Sequence, residues 1–265
     1  MDEQPLLLEK KGHVATLIIN RPDKKNSLTP LVLFALADQF EQLSRDAGIR
    51  TVVIRGSGDK AFSAGYDLSA IPTDLSPDLF DALKKKNPLE VGFAAIEAYP
   101  YPVIAMIDGF ALGAGCELAI TCDLRVASDT SRMGIPPSRL GVIYHPAGVQ
   151  KFINVLGLAN AKEAFFTGRY YDIHRAQAMG MVHYVVPKAD LPAFTDRLAE
   201  DIAGNAPLAL KGHKHIFNKL LHAQGIHPGD QAEIERLIQE ALNSEDLKEG
   251  TLAFFERRKA EFTGR

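Results

Sequence analysis

The chain has 265 residues, 46% hydrophobic and 24% charged, so it can bury one large core, or a core with an appendage, and has the composition of a globular protein. Its formal net charge of −3 offers no basic field to nucleic acid or an anionic membrane. Two cysteines, an acidic start without an apolar signal core, and no stretch near the ~20 apolar residues of a membrane span argue against a disulfide framework, a zinc site or a membrane protein, and a cytoplasmic, reducing setting is expected.

The first predicted strand covers 14–19 and ends in a polar turn, 20–26. Thr29 and Pro30 open a helix to about Ser44, with Leu33, Leu36, Phe40 and Leu43 on one face. A strand over 51–55 leads through a loop at 56–60 into Ala61-Phe-Ser-Ala-Gly-Tyr-Asp-Leu68. Pro72, Ser76 and Pro77 mark a mobile surface segment, and 78–99 reads as largely helical with a break near Asn87-Pro88. In that helix Lys84, Lys85 and Lys86 read as a solvated face.

The run 103–107 is a short apolar strand bounded by Pro102 and Gly109. Gly109, Gly113 and Gly115 follow, and Cys116, Leu118, Ala119 and Ile120 start a buried helix that contains one carboxylate, Glu117. Glycines let backbone N–H groups approach a ligand, and a helix N-terminus favours developing negative charge. Two readings fit this stretch: an oxyanion-binding turn with an acid or base one helical turn away, or a plain strand-to-helix turn with Glu117 as a first-turn residue. Short strands at 124–127 and 131–134 precede a long loop, 135–148. Helices are expected at 149–156, 160–168, 173–179, 191–204, 207–223, 230–243 and 244–262. Alternating strands and helices first, and mostly helix later, give an α/β core with a helical C-terminal region. No internal repeat is visible.

Several stretches together resemble the crotonase (enoyl-CoA hydratase/isomerase) superfamily over nearly the whole chain. They are Asn20-Arg-Pro22, Phe62-Ser-Ala-Gly-Tyr-Asp-Leu68, Asp108-Gly-Phe-Ala-Leu-Gly-Ala-Gly-Cys-Glu-Leu118, Leu140-Gly-Val-Ile-Tyr144, Ser244-Glu-Asp-Leu-Lys-Glu-Gly250 and Ala253-Phe-Phe-Glu-Arg-Arg-Lys259. The resemblance implies a crotonase-like spiral of ββα units over 1–190 and a helical C-terminal trimerisation region over 191–265. It also implies homotrimers or hexamers built as dimers of trimers, an acyl-CoA substrate, no separate cofactor and no metal. The matching oxyanion amides are those of Tyr66 and Ala114, where Ala114 stands in place of the family's usual glycine and keeps the N–H. By the same resemblance, coenzyme A runs along Lys24, Lys25, Lys60, Ala64, Asp67 and Leu68. Arg257, with Phe254 as apolar companion, matches a C-terminal lysine that reaches a neighbouring subunit's coenzyme in related hydratases.

Hydratases of the superfamily use two carboxylates. The first matches Glu117, but the second falls on Pro137, which can be neither acid nor base. The loop offers Tyr144 and His145 instead, and Leu140-Gly-Val-Ile-Tyr144 is similar to the methylmalonyl-CoA decarboxylase branch. The favoured expectation is therefore a lyase that decarboxylates a short malonyl-type CoA thioester through a thioester enolate. Candidate proton donors are water, Tyr144, His145 and Glu117. An enoyl-CoA hydratase or isomerase working with Glu117 is the alternative. A non-catalytic acyl-CoA-binding or RNA-binding member of the fold is a third class, and the net charge argues against RNA. Structural readings stay open beside these: Tyr144 as a loop aromatic filling the core, His145 as an exposed residue before Pro146, Glu117 as a hydrogen-bonded internal carboxylate.

Overall fold

The structure, a computed structural model, describes residues 4–68, 87–222 and 231–263. Two sheets dominate it. The larger runs β1 (Leu6–Lys11), β2 (Val14–Ile19), β3 (Thr51–Gly56), β5 (Val103–Ile107), β7 (Leu124–Ser128) and β10 (Tyr184–Val186), all parallel except the β1–β2 hairpin. Its central strands read as continuous apolar runs because both faces are covered. The smaller sheet pairs β4 (Ala61–Ser63), β6 (Phe110–Leu112) and β8 (Arg132–Gly134) in parallel, with β9 (Tyr170–Asp172) antiparallel on its edge.

The helices are α1 (Pro30–Ser44), α2 (Pro88–Ala98), α3 (Ala114–Thr121), α4 (Pro146–Thr167), α5 (Ile173–Ala178), α6 (Leu191–Ala203), α7 (Pro207–His222), α8 (Gln231–Leu242) and α9 (Glu245–Glu256). Three times the chain gives one strand to the large sheet, one to the small sheet, and then a helix: β3-β4-α2, β5-β6-α3 and β7-β8-α4. This is the spiral of ββα units implied by the resemblance. The sequence shows no repeat because only the strand order recurs, while linker and helix lengths differ in each turn.

The main core gathers Phe40, Phe62, Phe93, Tyr99 and Phe152 between the sheets, α1, α2 and α4. A second, smaller core seats Leu191 and Ala199 of α6 on Val53, Ile104 and Val126 of the large sheet. Helix α7 is pinned by a buried lysine: Lys214 Nζ donates to Asp123 Oδ2 at 2.7 Å, to the Tyr101 carbonyl at 3.0 Å and to the Ile96 carbonyl at 3.3 Å.

The structure departs from the sequence reading at several boundaries. Strands β1, β4, β6, β9 and β10 are absent from that reading; all but β1 are three residues long, too short for a periodic signal. The two helices expected at 149–156 and 160–168 are both present within α4, separated at Gly157, whose non-helical φ of 72° and ψ of 159° suit glycine alone; the first starts at Pro146 rather than 149. The break expected near Asn87-Pro88 is a helix start, where the Asn87 side chain accepts the Leu89 N–H at 3.0 Å. Helix α9 stops at Glu256 rather than 262 because Arg257 is left-handed, with φ 56°. Pro72, Ser76, Pro77, the lysines 84–86 and the first part of the helix expected at 78–99 lie outside the described residues.

Candidate active site

Helix α3 and strand β4 build the centre. Gly113 caps α3 with φ 53° and ψ −125°, and its N–H donates to the Gly134 carbonyl of β8 at 2.9 Å. The next residue, Ala114, is the first of the helix and has no i−4 carbonyl within it, and its N–H donates to no backbone acceptor among the described residues. Tyr66 bridges Leu28 through Leu28 N–H to the Gly65 carbonyl and Asp67 N–H to the Leu28 carbonyl, each 2.8 Å. Both bonds flank Tyr66 and leave its own N–H out. The two segments touch at Gly65, where a Cβ would lie 2.7 Å from the Leu112 carbonyl oxygen and 3.4 Å from the Ala114 nitrogen. Gly65 has φ 104°, so only glycine suits both the space and the dihedral.

The loop carrying Lys24 and Lys25 is tied to this place. The Lys25 carbonyl accepts the Ala64 N–H at 2.9 Å, and the Arg21 guanidinium meets Asp67 at 3.1 Å. Asn26, buried and left-handed, donates from Nδ2 to the Ala61 carbonyl at 2.7 Å and to the Ser57 carbonyl at 2.9 Å, and its Oδ1 accepts the Arg21 N–H. Lys24, Lys25 and Lys60 are exposed around it, and Ala64 and Leu68 are half-buried. Asp67 thus serves as a loop clamp with Arg21. Sequence reasoning misses Asn26; its only signal is an asparagine in a polar turn, where left-handed φ is tolerated.

Glu117 is 7% exposed, and its carboxylate has no hydrogen bond or ion pair among the described residues. Burial pushes its pKa up to about 7; Lys151 opposes this, and Glu97 and Glu90 add to it. Tyr144 packs edge-on against Phe165, centroids 5.4 Å apart, and Phe165 in turn meets Phe152 at 5.3 Å. Burial, then the Glu117 charge, holds the Tyr144 hydroxyl well above the usual phenol range, and that hydroxyl also has no hydrogen-bond partner among the described residues. Glu117 and Tyr144 meet at Gly148, where a Cβ would lie 2.9 Å from Glu117 Oε1 and 3.2 Å from the Tyr144 ring.

His145 sits at the start of α4 with its side chain 51% exposed and Nδ1 3.4 Å from Glu90 Oε1. Pro137 is buried in a 3-10 turn. The two residues after it face elsewhere: Arg139 stacks 5.5 Å over the Tyr170 ring, and Ser138 Oγ borders Gly168. No carboxylate replaces the missing one from this turn. Phe254, 56% exposed, and Arg257 are not joined to Tyr66, Ala114 or Glu117 by any hydrogen bond, ion pair or ring contact among the described residues. Helix α9 lies on its own chain's loop: a Cβ on Gly250 would come 2.8 Å from the Leu140 backbone, and one on Gly141 2.8 Å from Asp246. It buttresses the turn that leads to Tyr144.

Among the described residues no group of three or more His, Cys, Asp or Glu could hold a metal ion, and no helix is long and apolar enough to cross a membrane. On these adjoining segments the Tyr66 and Ala114 N–H groups have no backbone acceptor among the described residues, and the helix that begins at Ala114 supplies a buried carboxyl that changes protonation near neutrality.

The family described as enoyl-CoA hydratase/isomerase matches residues 9–265. The short-chain-enoyl-CoA hydratase of Clostridium acetobutylicum is 33% identical over 270 residues, covering 98% of each chain. The solved structure of methylmalonyl-CoA decarboxylase in complex with 2-nitronate-propionyl-CoA shares 31% identity over 99% of each chain, with a TM-score of 0.91. That of an enoyl-CoA hydratase from Bacillus anthracis shares 30% identity over 99% of this chain and all of its own, with a TM-score of 0.77.

Proposed function

The chain belongs to the enoyl-CoA hydratase/isomerase family of acyl-CoA enzymes, and from that premise we propose that it decarboxylates a short malonyl-type CoA thioester such as methylmalonyl-CoA. The observation that carries this reading is the buried Pro137, which by the family resemblance takes the place of the second hydratase carboxylate, with the Tyr144 ring and the Glu117 carboxylate meeting at Gly148 instead. The backbone likeness supports it, since the TM-score is 0.91 to the decarboxylase and 0.77 to the hydratase.

In the proposed reaction the Tyr66 and Ala114 N–H groups hold the thioester oxygen. The bond from the α-carbon to the carboxylate breaks, carbon dioxide leaves, and the electron pair becomes an enolate whose charge collects on that oxygen. One pre-aimed donor of this kind is typically worth roughly 3 kcal/mol of barrier. Tyr144, kept neutral by burial, orients the departing carboxylate as a hydrogen-bond donor. Glu117, protonated in a substantial fraction of molecules at neutral pH, returns a proton to the α-carbon. Lys24, Lys25 and Lys60 meet the phosphates of coenzyme A.

A second reading has its own observation. A buried carboxyl with a pKa of about 7 also suits a single-carboxylate enoyl-CoA hydratase or isomerase, and the Clostridium relative is a hydratase. Incubation with methylmalonyl-CoA and, separately, crotonyl-CoA, followed by mass, separates the two. Propionyl-CoA from the first supports decarboxylation; water added to crotonyl-CoA without carbon dioxide release overturns it.

We also propose assembly as a homotrimer or a dimer of trimers. Leu208, Phe217 and Leu220 of α7 are 84%, 62% and 62% exposed, and Phe254 and Phe255 of α9 join them as apolar surface that one chain leaves in water. Light scattering on the eluting protein tests it; a monomeric mass overturns it.

A further inference from the structure

We propose that Gly148 is a positioning residue for the reaction, because the space left by its missing side chain is where the Glu117 carboxylate sits. The inference rests on the reading that Glu117 and Tyr144 line the acyl site. Gly148 is buried in the first turn of α4, and its φ is not in the left-handed region. The backbone there accepts any L-residue, and alanine is the better helix former. What glycine supplies at this position is therefore room, not conformational freedom.

The three atoms nearest an added Cβ are Glu117 Oε1 at 2.9 Å, Tyr144 Cδ1 at 3.2 Å and Glu117 Cδ at 3.4 Å. All three belong to the two side chains that flank the acyl group. A methyl group has to push one of them, and the end of the Glu117 side chain yields at least cost, since the Tyr144 ring is held edge-on by Phe165. The carboxyl has no hydrogen bond or ion pair among the described residues to hold it in place. Packing and the more distant charge of Lys151 fix its position, and Gly148 sets the far limit of the packing. Gly148 reaches the chemistry through Glu117 and does not touch the reacting atoms.

The test compares Gly148→Ala, Glu117→Asp, the double variant and Glu117→Gln with the parent. Readouts are thermal midpoint, kcat and KM on methylmalonyl-CoA, and the titration of the Glu117 carboxyl in the unliganded protein by carbon NMR. Gly148→Ala is expected to keep its thermal midpoint, lose at least tenfold in kcat with KM changed less than threefold, and shift the Glu117 titration. The shorter aspartate retreats from the new methyl, so the double variant is expected to be more active than Gly148→Ala alone, a non-additive rescue. A Gly148→Ala enzyme within twofold of the parent with an unmoved titration overturns the inference, as does a double variant no better than Gly148→Ala. Parent-like turnover in Glu117→Gln overturns the role of Glu117 and the positioning inference with it, whereas turnover lost in Glu117→Gln but kept in Gly148→Ala overturns the positioning inference alone.

Discussion

Gly115 and Ser63 meet backbone to backbone: a Cβ on Gly115 would lie 2.4 Å from the Ser63 carbonyl oxygen and 2.7 Å from its Cβ. This contact brings the start of α3 against the end of β4. It sets the Ala114 amide beside the segment that carries Tyr66.

Gly115→Ala therefore has a definite expected effect. The obstructing atoms include strand backbone, so α3 must move as a body and take Ala114 and Glu117 with it. Misplacement on the ångström scale costs roughly 10²-fold in rate, and overpacking costs about 1–3 kcal/mol of stability. Paired kinetics and thermal unfolding check it; a variant with parent activity means the two amides do not act together.

Glu117→Gln separates chemistry from stability. The Glu117 pKa rises from 4.5 to about 7 on folding, so between those values the folded state binds more protons than the unfolded state. Stability from this group then falls as pH rises through that window, by up to about 3 kcal/mol at pH 8. Glutamine removes the penalty. The variant should be less active yet more stable than the parent at pH 8, and close to it at pH 4.5, by denaturant titration at each pH.

The same titrations expose His183, whose pKa burial and the Arg125 charge lower to about 4. The unfolded state binds more protons here, so this contribution rises with pH between about 4 and the ordinary histidine value of 6.5, against the trend from Glu117. In the Glu117→Gln variant, stability over that range should climb with pH. A flat profile in Glu117→Gln that stays flat after His183→Gln contradicts the assignment.

Tyr144→Phe keeps the ring on Phe165 and removes only the hydroxyl. Decarboxylation should fall about 10- to 100-fold, with a stability change under about 1 kcal/mol because no internal hydrogen bond is lost among the described residues. Unchanged kcat on methylmalonyl-CoA removes Tyr144 from the mechanism.

Lys214→Met leaves the Ile96 and Tyr101 carbonyls without their lysine donor and, among the described residues, Asp123 with only the Val103 N–H. The expected loss is about 3 kcal/mol, seen as a lower unfolding midpoint. A midpoint within a degree of the parent shows that α7 docks by other contacts.

The sequence is most legible where structure is local. The alternation of strands and helices, the Thr29 cap of α1, the glycine turn before α3 and the proline at 137 are properties of neighbouring residues. Apolar periodicity, φ preference and the missing donor of proline act over one or two turns of chain. The free amide of Ala114 follows from the same rule, since a first-turn N–H has no i−4 carbonyl.

Only the tertiary structure decided which distant segments meet. Asn26 stapling the 21–26 loop to β4, Gly65 closing on Leu112, α9 backing the Leu140 turn and Glu117 filling the space at Gly148 join residues that no local pattern relates. The spiral passes back and forth between two sheets, and its three-residue strands carry too little periodicity to show the register. The near-neutral pKa of Glu117 belongs here as well, because desolvation depends on what the whole fold packs around a carboxyl and not on its neighbours in the chain.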